Sequence, residues 1–272
     1  MNQDVANTPP FLVFTDLDGS LMEHETYSIE AARPALAELA DRGITPIFAS
    51  SKTATEIISI QASSGLNAPF ICENGAAIYG GGSESAGPIA VFGSRSSEWL
   101  TEVHDLRERM GWKFSGFADW SNQEVSVHTG LPAADAERAR QREFTEPMLW
   151  QDTHANFQLF LEALAKLELT TLEGGRFISI QSDFDKGNGM KWWQSRFAEP
   201  RPFLVALGDS PNDESLLAAA DVAVAIKSAK SDQLDPAGPQ RLIRTNRPGP
   251  SGWNDAINEI LALFDAAQLL ED

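Results

Sequence analysis

A run of five residues, Phe11-Leu12-Val13-Phe14-Thr15, leads straight into Asp16-Leu17-Asp18-Gly19. Short apolar runs bounded by turn residues read as buried strands. Two acids at the end of such a strand are costly unless something uses them. The same grammar recurs along the chain. Ile44–Ala49 is apolar and ends at Ser50-Ser51; Phe70–Cys72 ends at Glu73-Asn74-Gly75; Leu204–Leu207 ends in the polar stretch GDSPND, with Asp209, Asn212 and Asp213. Helical patterns lie between these runs. One is capped by Ser28, runs through Asp41 and stops at Gly43, and another begins at Thr53, with Glu56 at capping-box spacing. Strands alternating with helices predict parallel strands joined by right-handed crossovers.

The middle of the chain, from about Ile89 to Gln181, reads differently. Helices are expected over Glu98–Met110, Ala133–Arg142 and Asn156–Leu167, with alternating strands at EVSVH (Glu124–His128) and RFISI (Arg176–Ile180). The strand–helix grammar then returns, with RLIRT as a further strand and Trp253–Leu270 as a closing helix. The expected class is α/β: a doubly wound parallel sheet built from residues 1–86 and 186–272, with an α+β domain inserted over 87–185. The run Gly80-Gly81-Gly82-Ser83-Glu84-Ser85 reads as a loop or linker at the boundary.

Composition narrows the partners. With 39 acidic against 21 basic residues the formal charge is −18, which disfavours nucleic acid and anionic membranes. A small anionic substrate needs only a few local cations, so it stays open. The lone cysteine, Cys72, excludes an internal disulfide framework and a multi-cysteine zinc site, and it reads as a buried strand residue. The opening MNQDVANTPP has no basic-then-apolar pattern, and no apolar stretch approaches a membrane span. A cytoplasmic protein is expected, as a monomer or small homo-oligomer.

In parallel α/β sheets ligands sit at the carboxyl ends of strands. Asp16 and Asp18, Ser50 and Ser51, and Asp209 and Asp213 all fall there, and Lys186 in DFDKGNGM comes just before the helix that precedes the last of these strands. Carboxylates converging on one crevice repel unless a cation neutralises them, and an oxygen-rich set suits Mg²⁺. One aspartate can attack phosphorus, and a second, two residues on, can handle the leaving-group proton. Phosphoryl transfer otherwise needs positioning and charge neutralisation, which a lysine, a hydroxyl and a metal supply.

DLDGS, SSKT, DKG and GDSPND, in that order, resemble the four motifs of the haloacid dehalogenase-like phosphatases, in the members with a large cap between the second and third. The resemblance implies a Rossmann-like core, with Asp16 as nucleophile and Asp18 as general acid/base. Ser50 would bind the transferring phosphoryl group and Lys186 would tie it to the nucleophile. Asp209 would hold Mg²⁺ with Asp16 and the Asp18 backbone carbonyl, supported by Asp213 and Asn212. Strand length favours Ser50 over Ser51 as the residue facing phosphate. Ser20 stands where a threonine is usual, keeping the hydroxyl.

SSKTATEI, ENGAAI, QREFTEPMLW, GGRFISI and GDSPNDESLL are further similar to the mannosyl-3-phosphoglycerate phosphatase family, from about Phe11 to Phe264. That similarity implies removal of the 3-phosphate to give mannosylglycerate, a compatible solute, with the glucosyl analogue as a further substrate. A broader sugar-phosphate phosphatase or a sugar phosphomutase would use the same Asp16 and Asp18 chemistry. The rest of such a substrate is anionic and hydroxylated, so the cap should offer cations and polar donors. Gln141, Arg142 and Arg176 are the candidates, Arg176 because it follows a Gly-Gly pair. Arg138 is a helical turn from Arg142 and reads equally well as a surface charge. Asn74 and Gly75 mark a tight turn suited to substrate contact or hinge duty. The four histidines show no ligand spacing, and Trp150, Trp192 and Trp193 read as packing residues.

Overall fold

The computed structural model describes residues 9–81, 87–174 and 176–268. The Gly82–Ser85 part of the expected linker, Gly175, and the last two residues of the expected closing helix lie outside them. The chain forms two compact units, one of Met1–Ser50, Ala68–Phe70 and Lys186–Asp272, the other of Ser51–Asn67 and Ile71–Asp185.

The first unit is a parallel sheet with helices. Its strands are β1 (Phe11–Thr15), β2 (Ile47–Ala49), β10 (Phe203–Gly208), β11 (Val222–Lys227) and β12 (Arg241–Pro248), in the spatial order β12-β11-β10-β1-β2. All five residues of β1 are buried, as a strand covered on both faces requires. Its register with β10 pairs Thr15 with Leu207, and β10 pairs Gly208 with Ala225 of β11. The chain leaves β1 toward β2 on one side and later returns through β10 on the other. The order therefore reverses between β1 and β10, and such a switch point is where ligands bind in open α/β sheets. Helices α1 (Arg33–Asp41) and α9 (Gly249–Gln268) pack together, and Asn254 Oδ1 accepts from the Ala35 amide (3.0 Å). Helices α7 (Lys186–Gln194) and α8 (Glu214–Ala218) form a second pair.

In the second unit, helix α2 (Ala54–Ser64) carries the expected capping box: Thr53 Oγ1 accepts from the Glu56 amide and Glu56 accepts from the Thr53 amide. Strand β3 (Phe70–Cys72) enters this unit, and β4 (Ala77–Tyr79) pairs antiparallel with β5 (Ala90–Val91). An antiparallel sheet follows, from β6 (Phe114–Gly116), β7 (Glu146–Trp150), β8 (Leu169–Glu173) and β9 (Ile178–Ser182), in the order β6-β7-β9-β8. Helices α3 (Ser96–Met110) and α6 (His154–Ala165) bury Trp99, Val103, Phe160 and Leu164 with Phe114, Met148 and Ile180 of the sheet. Trp150 stacks on Phe160 at 5.1 Å, a packing role as expected. Helices α4 (Asn122–Thr129) and α5 (Ala133–Ala139) pack around Phe117 and Trp120. Among the described residues no helix is long and apolar enough to cross a membrane.

Four local expectations are corrected. EVSVH is the body of α4, not a strand. Ser121 and Glu124 make a capping box, Gly130 closes the helix at φ 83°, and only Val125 is buried while Val127 is 71% exposed. Two valines at alternate positions imitated a strand; the caps decide otherwise. The helix expected through Arg142 ends at Ala139, and residues 141–145 are instead hydrogen-bonded to Ser51, Thr55 and Glu73. The helix expected after Ser28 starts as a 3₁₀ turn over Glu30–Ala32 and becomes α-helical only at Arg33, with Pro34 in its first turn. The strand expected from Ile44 begins at Ile47, after Pro46.

Candidate active site

Strand β1 is anchored where it ends. Trp253 Nε1 of α9 donates to Thr15 Oγ1 (3.0 Å), and Thr15 Oγ1 donates to the Asp16 carbonyl (2.8 Å). The Asp16 amide donates to the Leu207 carbonyl of β10 (2.9 Å), so the first aspartate leaves the sheet beside that strand. The chain then folds back tightly, Met22 N donating to Leu17 O and Gly19 N to Met22 O, both 2.9 Å. Gly19 is left-handed (φ 77°), and a Cβ there would lie 2.7 Å from Asp209 Oδ2. The glycine thus lets the first loop close against the acid that follows β10.

After β10 the chain makes a 3₁₀ turn, Pro211–Asp213. The buried Asp213 Oδ2 accepts from the amides of Asp209 and Ser210, both at 3.1 Å, which shapes the GDSPND loop. Ser210 Oγ donates to Asn212 Oδ1 (2.5 Å), and Ser228 Oγ donates to the Asp209 carbonyl (2.6 Å). Lys186, the first residue of α7, donates through Nζ to Asp16 Oδ1 (2.7 Å) and Asp213 Oδ1 (2.6 Å). One ammonium therefore sits between acids from two different loops.

One carboxylate oxygen from each of Asp16, Asp209 and Asp213 lies within 4.8 Å of the others. Burial drives the Asp16 carboxyl well above its usual range; Lys186 opposes this, while Asp213, Asp209 and Asp18 add to it. Burial likewise pushes Asp209 up to about 6, with Asp213 adding and Lys186 opposing. Burial alone would lower Lys186, but the attraction of Asp16 and Asp213 reverses this and keeps it charged. Three carboxylates against one ammonium leave two negative charges, and hard oxygen donors with that deficit fit a divalent cation such as Mg²⁺. Both Asp213 oxygens are already engaged, so Asp16 and Asp209 are the residues placed to coordinate.

The remaining candidates fall as follows. Asp18 follows Asp16 within the folded-back loop, bridging to Met22, and Ser50 is fully buried directly after β2. In the second unit, Arg142 Nη2 donates to the Ser51 carbonyl (2.6 Å), and its Nε donates to Thr145 Oγ1 (2.7 Å). Gln141 Oε1 accepts from Thr55 Oγ1 (3.0 Å), and the Arg138 carbonyl accepts from Thr53 Oγ1 (3.1 Å). Ser51, Gln141 and Arg142 are thus brought together, and Asn74 and Gly75 join them through Glu73, whose carboxylate accepts from the backbone of Glu143, Phe144 and Thr145. Arg176 is elsewhere in this unit, donating to the His128 carbonyl. Glu73, Thr145 and Ser228 escaped the sequence reading. Their partners are distant in the chain or on the backbone, and no spacing announces them.

Fold and site together define an α/β enzyme with a carboxylate-rich centre at the switch point of its sheet. The chain belongs to the haloacid dehalogenase-like hydrolases, whose family model matches residues 13–89 and 121–237. Its fold is shared by many solved structures, of which three serve as examples. The HAD subclass IIB sugar phosphatase BT4131 is 17% identical with a TM-score of 0.66, covering 92% of this chain and 98% of its own. TM0651 from Thermotoga maritima is 18% identical, with a TM-score of 0.64 over 92% and 97%. The sucrose-phosphatase of Synechocystis sp. PCC6803, solved with sucrose and phosphate, is 16% identical, with a TM-score of 0.60 over 93% and 98%.

Proposed function

We propose that this hydrolase is a Mg²⁺-dependent phosphatase that converts mannosyl-3-phosphoglycerate, and its glucosyl analogue, to the glycosylglycerate and phosphate. The observation that carries the chemistry is Lys186 between Asp16 and Asp213, with Asp209 beside them. The narrower substrate rests on the stretches SSKTATEI, ENGAAI, QREFTEPMLW and GDSPNDESLL. A sugar phosphatase and a sucrose-phosphatase among the structures of like fold agree with a glycosyl substrate. In this reading residues 1–86 and 186–272 supply the chemistry and 87–185 the specificity.

Asp16 attacks phosphorus through a carboxylate oxygen; a P–O bond to Asp16 forms as the ester P–O bond breaks. Asp18 gives its proton to the departing glycerate oxygen. In the second half Asp18 takes a proton from water, whose oxygen attacks phosphorus and releases Asp16. Lys186 favours the ionised form of Asp16 against its burial and holds it in line, and Asp213 keeps Lys186 in place. Ser50 donates to the phosphoryl oxygens. Mg²⁺ held by Asp16, Asp209 and the Asp18 carbonyl would neutralise phosphoryl charge.

The test is phosphate release with Mg²⁺ from mannosyl-3-phosphoglycerate, its glucosyl analogue and simple hexose phosphates, with Asp16→Asn as control. Preference for the glycosyl-phosphoglycerates, lost in the variant, supports the whole reading. Equal turnover of hexose phosphates removes the narrow substrate and leaves the chemistry.

A further inference from the structure

Three consecutive residues after β3 are left-handed: Glu73 at φ 45°, Asn74 at 62° and Gly75 at 114°. Glycine adopts such angles freely, but two side-chain-bearing residues in succession persist only where the surroundings impose them. Here they do. Glu73 is buried, and its carboxylate accepts from the amides of Glu143 (2.9 Å), Phe144 (3.1 Å) and Thr145 (2.9 Å) and from Thr145 Oγ1 (2.7 Å). Its own amide donates to the Lys52 carbonyl (2.9 Å). The turn is thus pinned, within the second unit, to the Ser51-Lys52 loop on one side and to residues 143–145 on the other.

The pinned turn displays Asn74. This side chain is 3% exposed, and its Oδ1 accepts no hydrogen bond from any described residue. A buried acceptor left without a donor is costly, and the backbone strain beneath it adds to the cost. A glycine at 74 would remove both, so the asparagine needs a reason. A donor that arrives with a ligand supplies one. The Ser51-Lys52 loop alongside follows β2, at a strand end where ligands bind in this class of sheet.

We infer that Asn74 Oδ1 accepts a hydrogen bond from a hydroxyl of the substrate, and that Glu73 is the positioning residue that holds it there. The inference rests on the phosphatase reading and adds to it the residue that selects a hydroxyl-bearing phosphate ester over an alkyl or aryl phosphate. A buried acceptor built for a hydroxyl discriminates against analogues lacking one far better than an apolar pocket discriminates by size.

The experiment compares glucosyl-3-phosphoglycerate with p-nitrophenyl phosphate, which has no hydroxyl, in the parent, Asn74→Gly, Glu73→Gln and Asp16→Asn proteins with Mg²⁺. Asn74→Gly suits the backbone, so its melting temperature is expected to match or exceed the parent's. Its kcat/KM for the glycosyl ester falls about tenfold or more, mainly through KM, while that for the aryl ester stays within about twofold. Glu73→Gln repeats the selective loss with a lower melting temperature. Equal effects on both esters, or none, overturn the inference and leave the phosphatase reading standing. A parent without Asp16-dependent release from either ester overturns both.

Discussion

Lys186 Nζ stands 2.6 Å from Asp213 Oδ1, and neither side chain reaches solvent. The pair joins the start of α7 to the loop after β10, and the same ammonium reaches Asp16 after β1. Removing one partner of a buried pair leaves the others uncompensated. Lys186→Met is therefore expected to lose phosphate release and about 3–5 kcal/mol of stability at neutral pH. Urea unfolding checks the second part. A variant as stable as the parent would show that the acids do not depend on the lysine.

Asp16 and Asp209 are the two acids of the three-carboxylate cluster left to a cation, so Mg²⁺ should bind the folded state and raise its unfolding temperature. At a hundred times the dissociation constant the gain is about 2.7 kcal/mol. Asp209→Asn is expected to lose most of that gain. Thermal melts with and without Mg²⁺ decide, and an equal rise in the variant would place the cation elsewhere.

Gly19 permits the approach of the Asp16 loop to Asp209, with its φ of 77° and no room for a Cβ. Gly19→Ala is expected to cost about 1–2 kcal/mol for the left-handed backbone alone. It should also raise the Mg²⁺ concentration needed for half-maximal activity, because Asp209 must move. A variant with the parent's Mg²⁺ dependence would contradict the close approach.

Glu146 supplies a pH dependence away from the proposed chemistry. Burial pushes its carboxyl from 4.5 up to about 7, against the pull of the Ala118 amide (2.9 Å) and Arg142. The folded state holds the proton more tightly than the unfolded chain does. Its contribution is fully present below pH 4.5 and is lost as pH rises to about 7, a decline of about 3 kcal/mol. Glu146→Gln should remove that part of the slope in denaturation measured from pH 5 to 8. An unchanged slope would assign the pH dependence to other groups.

The parallel core and its acids were legible because strand ends carry both signals at once: an apolar run buried on two faces, then polar residues that a core alone does not explain. Thr53 and Glu56 announced a helix start for the same local reason. EVSVH misled because two valines fit either period, whereas Ser121 and Gly130, just outside the stretch, carried the answer. Glu73 was silent for a different reason. Its partners are backbone amides 70 to 72 residues away, and backbone donors leave no mark in a sequence. Arg142 was legible as a cation, but the fold directs two of its nitrogens to the Ser51 carbonyl and Thr145.

The central claim is that Asp16 becomes phosphorylated. Parent protein mixed with mannosyl-3-phosphoglycerate and Mg²⁺, quenched in acid within the first turnover and digested, should yield a phosphoryl adduct on the peptide carrying Asp16. The adduct should be absent from Asp16→Asn and should persist in Asp18→Asn, which lacks the base for the second step. An adduct on another residue, or undiminished phosphate release by Asp16→Asn, would contradict the account.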